Sequence, residues 1–199
     1  MHKLGIMGGS FDPIHLGHLH AAELARTEFN LEDVIFVTAY CPPHKSMDDL
    51  APARHRVAMV ELAIKGNSFF KSSRIEFERG CYSYAGDTIN AFKETYGKEW
   101  QIYFITGLDA ILTLINWDKA RTYPGICNFI AIVRTGYDVN KTKHAIPDEF
   151  RSYISILEAP EVPISSTQIR ELIKRNESIN GLVPIDVEDY INRYSLYRD

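Results

Sequence analysis

Cysteine is scarce in this chain of 199 residues: only Cys41, Cys81 and Cys127 occur, far apart and never as a C-x-x-C pair. That spacing excludes a disulfide framework and a cysteine zinc site, and it suits a reducing compartment. Long apolar runs are missing too. None approaches the roughly 18 residues that a membrane span needs. Met1 to Met7 passes straight into glycines and Asp12, which leaves no apolar core for a signal peptide. An excess of positive charge is also absent: 22 Lys and Arg stand against 26 Asp and Glu, for a formal net charge of -4. Non-specific binding to nucleic acid or to an anionic membrane is therefore not expected, although a local basic pocket can still take a phosphate. These absences point to a cytoplasmic enzyme or binding protein.

What remains is an ordinary globular composition, 45% hydrophobic and 24% charged. Its length fits a single domain over residues 1–199. Apolar runs at Lys3 to Met7, Asp33 to Ala39, Gln101 to Thr106, Phe129 to Val133 and Ser155 to Leu157 read as strands. Arg74 to Phe77 reads as a shorter one. Between them, helical spacing marks His15 to Phe29, Ala53 to Ile64, Asp87 to Tyr96 and Asp109 to Ile115. Ser165 followed by Gln168 reads as a capping box that opens a helix, and a last helix follows Pro184. Continuous apolar strands alternating with helices predict an α/β fold: a doubly wound, mainly parallel Rossmann-like sheet with a small C-terminal helical region at about 165–199. Such sheets bind ligands beyond the carboxyl ends of their strands.

The first strand ends in Gly8-Gly9-Ser10-Phe11-Asp12-Pro13-Ile14-His15-Leu16-Gly17-His18. Two glycines let a ligand approach the backbone closely, and the amides of the next helix start face an anion site. His15 and His18 are three apart, so they share a face of that helix's first turn. Paired imidazoles there suit electrostatic work on phosphate oxygens. The G-x-G-x-x-G fingerprint of dehydrogenases is absent. His20 does not join the other two histidines on one face, and no zinc-ligand spacing follows, so no metal site is expected. His2, His20, His55 and His144 read as structural.

The stretch G-G-S-F-D-P-x-H-x-G-H resembles the signature of the H-x-G-H nucleotidyltransferases, and of the nicotinate-nucleotide adenylyltransferases within them. The resemblance continues through Pro42-Pro43-His44-Lys45, Ser83-Tyr84-Ala85-Gly86-Asp87-Thr88, Gly107-Leu108-Asp109, Trp117 and Ile164-Ser165-Ser166-Thr167-Gln168-Ile169-Arg170. Read alone, Lys45 would be a surface lysine, Asp87-Thr88 a helix cap, and Ser165 to Arg170 a cap with a surface arginine. The chain departs from the family at Ala85, where threonine is usual, at Asp118 and Ala120 in place of the histidine and second tryptophan of a W-H-K-W run, and at Thr135 in place of proline.

The resemblance implies transfer of the adenylyl group of ATP to nicotinate mononucleotide, giving deamido-NAD and pyrophosphate in NAD biosynthesis. It implies that His18 and His15, with Lys45 and Arg170, carry the chemistry. Gly8, Gly9, Ser10, Phe11, Gly107, Asp109, Arg134, Ser165, Ser166 and Thr167 would complete the ATP site. Tyr84, Asp87, Thr88 and Trp117, with Lys45, would hold the mononucleotide. Mg²⁺ is expected to arrive on ATP, because no all-protein carboxylate cage is visible. Three rivals stand beside this reading: a transferase acting on phosphopantetheine, a dehydrogenase, and a non-catalytic nucleotide sensor. The choice of nicotinate over nicotinamide rests on the resemblance, since a helix start at Asp87-Thr88 favours the acid while Asp87 opposes it. Homo-oligomerisation is left open.

Overall fold

The computed structural model describes residues 1–42, 46–80, 82–115, 123–134, 137–138, 144, 146–160 and 163–198. The elements in chain order are β1 (His2–Gly9), α1 (Leu16–Phe29), β2 (Asp33–Thr38), α2 (Ala53–Ala63), β3 (Phe70–Ser73), α3 (Ile75–Arg79), α4 (Ala85–Tyr96), β4 (Trp100–Gly107), α5 (Leu108–Ile115), β5 (Asn128–Arg134), α6 (Asp148–Arg151), β6 (Ile154–Ala159), α7 (Ser166–Lys174) and α8 (Ile185–Arg193). The apolar runs of the sequence become strands covered on both faces. Leu4 to Met7, Val34 to Thr38 and Ile102 to Ile105 are buried at every position, which only a sheet with helices on each side achieves.

The strands form one sheet in the order β3–β2–β1–β4–β5–β6. β1, β4, β5 and β6 pair in parallel, with Leu4 opposite Ile102 and Phe104 opposite Phe129. The chain works outwards from β1 on one side and from β4 on the other, so the switch point lies between these two strands. This is the doubly wound, Rossmann-like architecture that the sequence predicts.

Packing divides the chain into two units. One comprises Met1–Gly8, Ala21–Ile35 and Tyr84–Glu161. In it Phe104, Phe129 and Tyr123 form a run of edge-on ring contacts. Gly8 is required here, because a Cβ would stand 2.7 Å from the Phe104 ring. The other unit comprises Gly9–His20, Phe36–Ser83 and Val162–Asp199. Phe36 links Phe11 and Phe70 in its core. The amphipathic C-terminal helices bury Ile169 and Ile173 from α7 and Val187 and Ile191 from α8. Among the described residues no helix is long and apolar enough to cross a membrane.

Two expectations are corrected. The strand expected at Arg74 to Phe77 is the helix α3, and the strand lies just before it at Phe70–Ser73. Over four residues an apolar alternation fits either geometry, and Gly80, left-handed at φ 65°, closes the helix. The helix expected to open at Asp87 opens two residues earlier, at Ala85.

Candidate active site

The histidine turn belongs wholly to the second unit. After β1 the chain passes through Phe11, at φ 47°, and a cis Asp12–Pro13 bond before α1 begins. The His15 carbonyl accepts from the His18 and Leu19 amides, which makes His15 the cap of α1. His15 and His18 then stack, their ring centroids 3.6 Å apart at 25°. The His15 backbone N–H donates to Nδ1 of His18 at 3.3 Å. A main-chain amide can only donate, so Nδ1 of His18 is an acceptor and the neutral ring carries its proton on Nε2. Phe11 presses on the His18 ring nearly perpendicularly, at 5.2 Å.

His15 is buried, and burial pulls its pKa down to about 4. At neutral pH it is therefore an uncharged N–H donor. Its Nδ1 has no hydrogen-bond partner among the described residues. Gly17 permits the ring stack: a Cβ there would sit 3.0 Å from His15 Nδ1 and 3.1 Å from Cε1.

The turn is pinned from outside at successive residues. Arg56, wholly buried on α2, donates Nη1 to the carbonyls of Ser10 and Ala39, Nη2 to Tyr40 and Nε to Ala51. Burial lowers its pKa, and the negative charge of Asp12 is the first of the effects that oppose the shift. Asp12 Oδ1 accepts from the Ala51 amide at 3.1 Å and from the Tyr197 hydroxyl at 2.8 Å. The Asp12 carbonyl accepts from Arg170 Nη1 at 2.7 Å. Ser166 donates its hydroxyl to the Pro13 carbonyl at 2.8 Å, and the Leu16 amide donates to Leu182.

At the start of α7, Ser165 accepts from the Gln168 amide as the expected cap. The Ser165 side chain thus caps α7, while that of Ser166 braces the histidine turn. Thr167 is exposed, with Arg170 Nη2 at 3.5 Å from its hydroxyl. Arg170 keeps a partly exposed guanidinium beside the histidine turn, its side chain 28% accessible.

Among the described residues, Gly8, Tyr84, Asp87, Thr88, Gly107, Asp109 and Arg134 fall in the first unit. Gly107 and Asp109 are exposed at the carboxyl end of β4, and a Cβ on Gly107 would meet nothing within 4 Å. Tyr84 caps α4, and its carbonyl accepts from the amides of Asp87 and Thr88. Those two amides are therefore spent inside the helix, because it opens at Ala85 and not at Asp87-Thr88 as expected. Asp87 is exposed, while Thr88 is completely buried. Gly86 leaves room for Tyr123, whose hydroxyl a Cβ would strike. Arg134 is the last residue of β5. Lys45 and Trp117 lie outside the described residues.

Sequence reading assigned no task to Asp12, Arg56 or Tyr197. Arg56 carried a signal in its position, for it shares a helical stripe with the buried Ala53, Met59 and Val60. Tyr197 carried none, since its partner stands 185 residues away.

A family model described as cytidylyltransferase-like matches residues 6–172. A protein of Moorella thermoacetica named probable nicotinate-nucleotide adenylyltransferase is 45% identical, over 98% of this chain and 92% of its own. One of the same name from a Thermoanaerobacter species is 44% identical, over 98% and 94%. Among solved structures, the Plasmodium falciparum nicotinic acid mononucleotide adenylyltransferase complexed with NaAD superimposes with a TM-score of 0.79. It covers 99% of this chain and 98% of that one at 23% identity, a likeness of fold.

Proposed function

The chain belongs to the cytidylyltransferase-like family and, within it, to the nicotinate-nucleotide adenylyltransferases, and from that premise we infer that it transfers the adenylyl group of ATP to nicotinate mononucleotide. The products are deamido-NAD and pyrophosphate. The mononucleotide's phosphate attacks the α-phosphorus in line, a new P–O bond forms, and the bond to the bridging oxygen of the β-phosphate breaks. The attacking phosphate is already ionised at neutral pH, so no general base is needed. Catalysis then rests on positioning and on stabilising charge.

The observation that carries this reading is the stacked histidine pair, with the His15 amide held on Nδ1 of His18. His18 Nε2–H is assigned to the α-phosphate and bridging oxygens, where charge grows in the transition state. His15, held uncharged by burial, orients the triphosphate without competing as a counterion. Arg170 and Lys45 are assigned to the β- and γ-phosphates, with Gly8, Gly9, Ser10 and Phe11 shaping the approach. Thr167, the Ser165 and Ser166 turn and Arg134 belong to the same nucleotide. Gly107 and Asp109 are assigned to the adenosine ribose. Trp117, Tyr84, Asp87 and Thr88 are assigned to the nicotinate. Magnesium comes as part of the ATP substrate, and among the described residues no cluster of three His, Cys, Asp or Glu is placed to hold a metal. We place the reaction in the cytoplasm, on free nucleotides.

Pyrophosphate release with a panel of acceptors tests the reading. Nicotinate mononucleotide should be the best substrate, ahead of nicotinamide mononucleotide, and phosphopantetheine should be inert. ATP binding with no turnover on any acceptor would make the protein a nucleotide sensor instead.

A further inference from the structure

Beyond α8 the chain doubles back through two left-handed residues, Ser195 at φ 50° and Tyr197 at φ 65°. This brings a phenol that lies outside the family-matched stretch of residues 6–172 onto the histidine turn. The Tyr197 hydroxyl donates to Asp12 Oδ1 at 2.8 Å. Asp12 is 2% exposed, so its carboxylate depends on donors buried around it. The same oxygen holds the Ala51 amide, and Arg170 holds the Asp12 carbonyl at 2.7 Å. Asp12 Oδ2 has Arg170 Nη1 at 3.7 Å. Burial, then the charge of Asp12 and the bond to it, push the phenol's pKa well above its ordinary value, so it donates throughout the working pH range.

Asp12 stands three residues before His15; between them the Pro13 ring fixes its own φ, the Ser166 hydroxyl holds the Pro13 carbonyl and Ile14 is wholly buried, which leaves little slack. A rotation at Asp12 is therefore passed to the His15 amide, and that amide fixes the tautomer of His18.

We propose that Tyr197 is a positioning residue for adenylyl transfer, acting through Asp12 to hold the His15 amide on His18 Nδ1. The proposal rests on the adenylyltransferase reading, and the two fail differently: a wild-type protein inert with nicotinate mononucleotide defeats the reading itself. With active wild type, Tyr197→Phe removes one hydroxyl. Its kcat should fall about tenfold while KM for ATP and for the mononucleotide each stay within about twofold, as for an interaction realised in the transition state. Nitrogen NMR of the His18 ring should show protonation moving from Nε2 alone to a mixture of tautomers. A kcat within about twofold of wild type overturns the proposal. So does a kcat loss with unmoved His18 signals, or a variant that no longer folds, since the bond would then serve the fold rather than the turn.

Discussion

The His15 amide and the His18 imidazole form a directed pair: the amide gives its hydrogen to Nδ1 at 3.3 Å, and the rings stack at 3.6 Å. In the proposed mechanism the proton left on Nε2 of His18 is the group that meets developing charge. His18→Ala should lower kcat by roughly 10²-fold or more and change KM for ATP little. His18→Gln can place an amide donor near the position of Nε2, whereas His18→Asn can reach only that of Nδ1. Gln should thus retain more kcat than Asn, and equal activities in the two variants would contradict the tautomer assignment.

His15 gives a pH signature. Its pKa in the folded chain is about 4, below the ordinary 6.5. Above pH 6.5 neither the folded nor the unfolded chain holds the proton, and the full stability is present. As pH falls from 6.5 towards 4 the unfolded chain takes up a proton that the native one refuses, so stability declines and then levels off. The span is on the order of 3 kcal/mol. Urea melts across that range should show a shallower slope for His15→Asn than for wild type. Parallel slopes would mean that the ring is not buried neutral.

Gly17 separates activity from stability. Alanine is intrinsically better than glycine in a helix by about 1 kcal/mol, yet its Cβ would press on the His15 ring at 3.0 Å. The variant Gly17→Ala should keep a Tm near that of wild type and lose about tenfold in kcat through displaced imidazoles. Full activity with a raised Tm would show that the stack is not needed.

Arg56 is expected to act on the fold. It serves four backbone carbonyls from a fully buried site. Arg56→Met leaves those acceptors unpaired and should cost roughly 3 kcal/mol or more. A lysine cannot reproduce the planar fork, so Arg56→Lys should be nearly as unstable. Denaturant midpoints of the two variants check this, and a lysine variant as stable as wild type would refute the role.

How far the sequence reaches depends on distance along the chain. The histidine turn was legible because its partners are neighbours: three residues bring His15 and His18 onto one face, and Gly17 between them advertises the close approach. The buried strands were legible because parallel sheets need unbroken apolar runs. The helix α3 was not, because five residues are too few to separate two periods. Nor was the turn's support. Tyr197, Arg170 and Ser166 reach Asp12 and Pro13 only after the chain has folded, and nothing in their local patterns records those partners. Thr88 shows the converse limit: a motif position can be named from sequence while its complete burial belongs to the packing around it.

Transfer of the adenylyl group itself to nicotinate mononucleotide is the step on which every assignment above depends. ATP carrying a radioactive α-phosphorus, mixed with the purified protein and nicotinate mononucleotide, tests it most directly. Label should appear in deamido-NAD, one per pyrophosphate released, with almost none of that transfer in His18→Ala. Label that remains in ATP, or appears only as free AMP whatever the acceptor, would contradict it.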